Sequence, residues 1–387
     1  MKIGIMLVDF NPGRMGGVET YLRNLVRWLA LNDHDNRYTL ICTDQNVGYF
    51  EELFGHVDTM VFNNRKNSPQ RLGRSLVRKL TGIDPIRVAC DRAGFDLLHN
   101  PFTSVRCLGA KTPLIVTFHD IQHRFFPQFF REKDVALRDR NSRKAALGAS
   151  FLIADSEYTK VSLAEAYGVP ESRMQVVLLG VGEEYRPLPA ELLAEERRAL
   201  GLERPFLYYP AATWLHKNHA NLLAALKIME KTGFDGELVL TGVATKARDG
   251  LLAQIAELGL SERVRVLGYL PYEKLPVIYN LARLTVFPSL FEGFGMPVLE
   301  AMGCGCPVAC SNVTSIPEVG GDAVRYFDPT SPEQIAQTVL NLWGDDSALA
   351  ELRRMGLERV AEFTWENTSR RTLEVYRDVL KRCGRKA

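Results

Sequence analysis

The sequence has no apolar run near the roughly 20 residues that a membrane-spanning helix requires, so a chain that does not cross a bilayer is expected. It has no C-x-x-C pair, and its seven cysteines are odd in number and scattered, which argues against a disulfide framework. Cys304, Cys306 and Cys310 lie close together, but their spacing inside an apolar segment matches no common zinc site, and they read as small core thiols. An excess of one charge is missing as well. With 48 Lys and Arg against 46 Asp and Glu, the net +2 gives no general footprint for nucleic acid. No short-period repeat or low-complexity tract is present. The opening MKIGIMLVDFNPG lacks the apolar core and small-residue cleavage site of a secretion signal, so a cytoplasmic location is expected.

What is present is a regular alternation. At 387 residues the chain is long enough for two ordinary domains. Short β-branched runs (KIGIMLV, YTLICT, DLLHN, PLIVTFHD and FLIADS, then PFLYYP, ELVLTG, VRVLGY, LTVFPS and PVACS) alternate with amphipathic segments such as GGVETYLRNLVRWLALN. That is the pattern of parallel sheets with crossover helices, and it predicts an α/β fold of two doubly wound domains. Composition shifts from apolar strand to Gly, Glu and Pro over residues 181–187, which places the boundary there. From Trp365 a separate amphipathic helix runs to a basic end.

The densest chemistry lies in LTVFPSLFEGFGMPVLEAMGCGCPVACS, which parses as a strand over 284–288, a glycine loop, a helix over 297–303 and a strand over 307–311. Pro297 suits the first helical turn, where its missing N–H is no loss. Gly293 and Gly295 allow close backbone approach, and the N–H groups around Gly295 and Met296 would face an anion such as a diphosphate. Glu292 and Glu300 can accept hydrogen bonds from vicinal hydroxyls flanking that anion. The plainer alternative is that Glu300 serves the helix dipole and Glu292 is a solvated loop residue.

These two glutamates, with seven residues between them in FEGFGMPVLEAMGCGCPV, resemble the signature of retaining glycosyltransferases of the GT-B fold in family 4 (glycosyl transferases group 1), including mannosyltransferase-like members. The resemblance covers nearly the whole chain and is stronger in its second half. It implies two Rossmann-like domains facing across a cleft: residues 1–184 for the acceptor, 185–364 for the nucleotide sugar, and a helix at 365–387 crossing back to the first domain. It further implies that Glu292 contacts the donor sugar and Glu300 the ribose. Gly295, Met296 and Pro297 would line sugar and phosphates, with Thr213, Gly293, Phe294 and Leu299 completing the donor set. Gly268 and Tyr269 would lie near the base. The donor would be GDP-mannose or a UDP-sugar, and the acceptor a hydroxyl in a cell-surface polysaccharide, lipopolysaccharide or glycolipid.

Lys217, at a strand's carboxyl end in WLHKNH, can offer a point charge to a phosphate leaving group. The family usually carries an arginine about five residues earlier; here Ala212 stands there, and His216 or another base would have to compensate. In the first half, Gly16 and Gly17 open a helix and fit either a tight turn or, by the resemblance, the diphosphate. Glu19 either caps that helix or meets the acceptor. His119 ends a strand and is either structural or, as in the family, beside the donor sugar. Asp120, Ser156 and Arg124 are acceptor candidates, with helix capping the preferred role for Ser156.

Phe125, Phe126, Phe129 and Phe130 between Arg124 and Arg131 suit core, an acceptor wall or a membrane surface. The acid-free run with Arg65, Lys66, Arg71, Arg74, Arg78 and Lys79 fits a solvated helix face or contact with the inner membrane surface. Asp33 and Asp35 mimic a metal-binding D-x-D but sit at the wrong end of a sheet, so they read as turn residues, and no metal or cofactor is expected. Rival readings are a sugar-nucleotide epimerase of the same fold, or a nucleotide-sugar binding module that has lost catalysis.

Overall fold

A computed structural model describes residues 1–66, 68–245 and 247–384; within these the Arg78 side chain, part of the basic run, lies outside what is described. The chain divides into two compact units, Met1–Gly180 with Trp365–Ala387, and Val181–Thr364.

In the first unit seven strands form one sheet: β1 (Lys2–Met6), β2 (Arg37–Thr43), β3 (Asp58–Phe62), β4 (Leu97–Asn100), β5 (Leu114–Phe118), β6 (Phe151–Ala154) and β7 (Met174–Val176). Their order is β3-β2-β1-β4-β5-β6-β7, with every pairing parallel. Parallel strands covered on both faces need apolar residues in both directions, and β5, LIVTF, is buried at every position. The chain order reverses between β1 and β4, the switch point at which open sheets of this kind bind ligands.

The terminal helix Trp365–Arg382 belongs to this unit and packs on the helix Gly17–Asn32. Its Leu373, Tyr376, Val379 and Leu380 are buried, and Thr368 donates to the Leu178 carbonyl at 2.8 Å. The deepest tie is polar. Fully buried His99, on β4, meets Tyr376 Oη through Nδ1 at 2.7 Å and Thr117 Oγ1 through Nε2 at 2.8 Å.

The second unit holds a six-stranded sheet of β8 (Phe206–Pro210), β9 (Glu237–Thr241), β10 (Val264–Gly268), β11 (Leu284–Phe287), β12 (Val308–Ser311) and β13 (Arg325–Phe327). The order is β10-β9-β8-β11-β12-β13, again wholly parallel, with its switch point between β8 and β11. The composition change sets the boundary over 181–187 and the resemblance sets it at 184, whereas the first unit's leading segment stops at Gly180. Val181 is already bridged to Thr364 and donates to the Phe363 carbonyl at 3.0 Å, which ties both ends of the second unit together.

Six cysteines are buried and Cys383 is exposed. Asp33 accepts from Asn36 Nδ2 at 2.6 Å and from the backbone N–H of Asp35 at 3.2 Å, a turn arrangement. No helix among the described residues is long and apolar enough to cross a membrane.

Candidate active site

In the second unit the loops that follow β8 and β11 flank the switch point, and they carry Lys217 and Glu292 respectively. Lys217 Nζ lies 2.6 Å from Glu292 Oε1, and the two side chains are only 16% and 13% exposed. The ammonium also stands 5.6 Å from the Phe287 ring centroid.

Backbone and side-chain ties fix this pair. Tyr209, at the end of β8, donates its hydroxyl to the Lys217 carbonyl at 2.6 Å, and the Leu290 N–H reaches the His216 carbonyl at 2.8 Å. Asn218 adopts the left-handed conformation at φ 61°, which asparagine tolerates. Its amide donates to the Pro288 and Pro329 carbonyls at 2.9 and 2.7 Å rather than capping its own helix. On the other side, Thr314 Oγ1 accepts the Glu292 N–H at 3.2 Å, while Ser315 Oγ is 3.0 Å from the Glu292 carbonyl and 2.9 Å from that of Phe294. The glycine loop is thereby held from the segment after β12.

The helix Met296–Gly303 begins at Gly295, whose φ of 109° excludes most side chains, and no side chain caps it. Pro297 is in its first turn. Its uncapped N-terminus suits an anion. Glu300, one turn in, accepts from Tyr279 Oη at 2.8 Å. Burial lifts its carboxyl to about 7 against the pull of that bond.

The remaining donor candidates divide. Gly293 is part-exposed on the loop, Gly268 ends β10 at φ 73°, and Tyr269 is 71% exposed. Thr213 holds the loop after β9: its Oγ1 accepts the Thr245 N–H at 2.9 Å and its carbonyl accepts from Thr245 Oγ1 at 2.8 Å. Leu299 is fully buried and Phe294 nearly so, because both pack into the core beneath the loop and helix. Their side chains face inward, leaving only backbone for a ligand. Ala212 is braced from below by Gly242, where an added Cβ would sit 2.5 Å from the Ala211 carbonyl carbon.

In the first unit His119, Asp120 and Ser156 gather at the carboxyl ends of β5 and β6. His119 Nε2 is 3.0 Å from the Pro101 carbonyl, which can only accept, so Nε2 carries a proton. Nδ1 is 3.1 Å from Asp155 Oδ2 and needs one more proton, on either group. Burial opposes the imidazolium, but the bond to Asp155 and its charge outweigh that and raise His119. Burial likewise lifts Asp155 to about 6, against the pull of His119. The Tyr21 ring meets the imidazole edge-on at 5.0 Å.

Ser156 is wholly buried and caps the helix Glu157–Tyr167 by accepting the Thr159 N–H at 3.1 Å, so its hydroxyl does not face an acceptor. Asp120 is exposed and accepts the Gln122 N–H at 3.0 Å, and Arg124 pairs with Asp139 at 3.5 Å. Gly16 starts the helix Gly17–Asn32 at φ 53°, and both Gly16 and Gly17 border open space. Glu19 accepts the Gly13 N–H at 2.7 Å and so closes its own loop.

Asn218, Tyr279, Thr314, Ser315 and Asp155 were not singled out by motif. Asp155 had a local signal, as the residue after the apolar strand FLIA; Thr314 and Ser315 become recognisable only when β12 is placed beside β11.

Each of the two units is thus a doubly wound parallel sheet, and the second carries a charged pair at its switch point. Residues 194–359 match the family model described as glycosyl transferases group 1, and residues 15–185 match that of glycosyltransferase family 4. The chain is 33% identical over 266 residues to the O-antigen chain mannosyltransferase B of Escherichia coli, covering 68% of this chain and 70% of that one. It is 34% identical over 254 residues to D-inositol 3-phosphate glycosyltransferase of Thermobispora bispora, covering 61% of this chain and 58% of that relative. Among solved structures, Anabaena HepE in complex with UDP and glucose superposes with a TM-score of 0.76 at 20% identity, over 98% of this chain and all of that one. The chain belongs to the group 1, family 4 glycosyltransferases, and its GT-B fold is that of solved members.

Proposed function

We propose that the protein moves a sugar from a nucleotide-sugar donor to an acceptor hydroxyl, with retention at the anomeric carbon, during synthesis of a cell-surface polysaccharide, lipopolysaccharide or glycolipid. The observation that carries this reading is the 2.6 Å Lys217–Glu292 pair at the switch point of the second sheet. In the absence of donor each charge compensates the other, which avoids leaving an isolated charge in a poorly solvated place. A donor offers both groups better partners. Its diphosphate takes the Lys217 ammonium and the N–H groups at Met296, and a sugar hydroxyl takes Glu292. Glu300 then receives the ribose hydroxyls. Stabilising the departing diphosphate is the main catalytic contribution, supplied by a fixed cation and a helix N-terminus.

The name of the Escherichia coli relative supports a mannosyl donor such as GDP-mannose, and that of HepE keeps UDP-sugars in view. No metal or organic cofactor is required in this scheme, and the enzyme would work in the cytoplasm against a membrane-borne acceptor. The test is to supply GDP-mannose, UDP-glucose and a lipid-linked glycan acceptor pool and follow nucleoside diphosphate release. Release that depends on acceptor and is lost in Lys217→Ala is expected; release indifferent to acceptor, or unchanged turnover in the variant, would overturn the assignment.

A further inference from the structure

The helix Pro69–Thr81 is turned inside out relative to an ordinary surface helix. Leu72, Leu76, Val77 and Leu80 recur at helical spacing on one face, and they are 56%, 56%, 45% and 74% exposed. Ile83, just beyond the helix, is 40% exposed. On the opposite face Arg74 is part-buried and turns toward the protein. Arg74 donates to the Asn63 carbonyl and stands 5.6 Å from the Phe62 ring centroid, and Arg71 reaches the Asn64 carbonyl at 3.4 Å. The helix is thus anchored by its arginines and presents its leucines outward.

Such an apolar face is normally buried, and exposed patches of this kind mark a surface that meets another phase or partner. Charge selects among them. From Asn63 to Ile83 there is no acidic residue, and Lys66, just before the helix, and Lys79, within it, are exposed. A second copy docking face to face would oppose like charges, whereas an anionic lipid surface takes the leucines into its acyl boundary and the lysines at its headgroups. We propose that this helix docks the protein on anionic bilayers, lying in the interface plane. This deepens the membrane-borne part of the proposed function, but it rests on exposure and charge rather than on the transfer reaction.

The experiment sediments the full chain with vesicles of phosphatidylcholine, with and without phosphatidylglycerol. Binding to the anionic vesicles alone is expected, weakening as salt screens the lysines. Leu72→Ser with Leu76→Ser and Leu80→Ser should lower it about tenfold or more, and Lys66→Glu with Lys79→Glu should both weaken it and flatten its salt dependence. Thermal melting and donor-dependent turnover in solution should be retained, since these side chains are outside the site. Failure of the wild-type chain to bind anionic vesicles, equal binding by the leucine variant, or a concentration-dependent dimer that this variant dissociates would each overturn the proposal. The transfer reading would survive any of them.

Discussion

Lys217 Nζ and Glu292 Oε1 are 2.6 Å apart, although they are separated by 75 positions in sequence and stand on loops following two different strands. The pair explains how two opposite charges persist in a site with little solvent. It also makes single substitutions asymmetric. Lys217→Ala leaves a carboxylate without its counter-ion and should lower stability by about 1–3 kcal/mol, read from denaturant unfolding. The same change should reduce turnover a hundredfold or more, on the order of losing one fixed stabiliser of developing charge. The double variant Lys217→Met with Glu292→Met should regain much of the stability and none of the turnover. Equal instability of the single and double variants would show that the pair has no compensating role.

The glycine and glutamate loop was legible because its chemistry is local. Strand, loop and helix at 284–303 were placed within a residue or two, since Gly295 and Pro297 are conformational signals in themselves. Three strands were not legible: β3, β7 and β13. All three are sheet edges, but so is β10, which VRVLGY made legible; what separates the three is that β7 and β13 are only three residues long and β3 has no buried position. An edge strand this short or this exposed writes no continuous apolar run, so its pattern resembles loop. For the site, Lys217 and Glu292 were each legible from their places at strand ends, but their pairing was not. It depends on β8 and β11 being neighbours, which strand order determines and local sequence does not. His119 was marked by position, whereas its bonds to Pro101 and Asp155 come from the neighbouring β4 and β6 loops.

Gly242 bears on the same loop from below. Its φ of 138° is unfavourable for other residues, and an added Cβ would meet backbone atoms of Ala211 and Ala212 at 2.5–2.7 Å. Backbone cannot swing aside as a side-chain tip can. Gly242→Ala should therefore displace the 211–217 loop, lowering the melting temperature and cutting turnover by at least tenfold, since small misplacements of a catalytic group are costly. Wild-type values in both assays would contradict this account of the loop's support.

Glu300 sets a pH dependence in the second unit. Its folded carboxyl is lifted to about 7, above the unfolded value, so the folded state holds a proton that the unfolded state has released. The stabilisation is fully present below about pH 4.5 and is lost as pH rises towards 7. Relative to Glu300→Gln, the wild-type melting temperature should decline across that window and level off above it. Parallel melting curves for the two proteins from pH 5 to 8, about the range in which the carboxyl changes charge, would refute the assignment.

His99 should act in the opposite sense in the first unit. Burial lowers its folded value to about 3, well below the ordinary imidazole range, and the nearby His119 adds to that shift. The ring is therefore neutral in the folded protein at neutral pH, and its two nitrogens are bonded to Tyr376 and Thr117. The unfolded chain takes up a proton near pH 6.5 that the folded one refuses until about pH 3, so stability attributable to this group falls on acidification between those values. The slope for one such group approaches 1.4 kcal/mol per pH unit. His99→Gln will be less stable at pH 7 because it disturbs a buried network, but the informative quantity is the slope. From about pH 6.5 to 4 the gap between wild type and variant should narrow, as only the wild type pays for excluding the imidazolium. Tyr376→Phe, which removes one partner and leaves the imidazole in place, should cost about 1–3 kcal/mol and retain the wild-type slope. If its slope instead matched that of His99→Gln, the acid sensitivity would belong to the Tyr376 contact and not to the titration of His99.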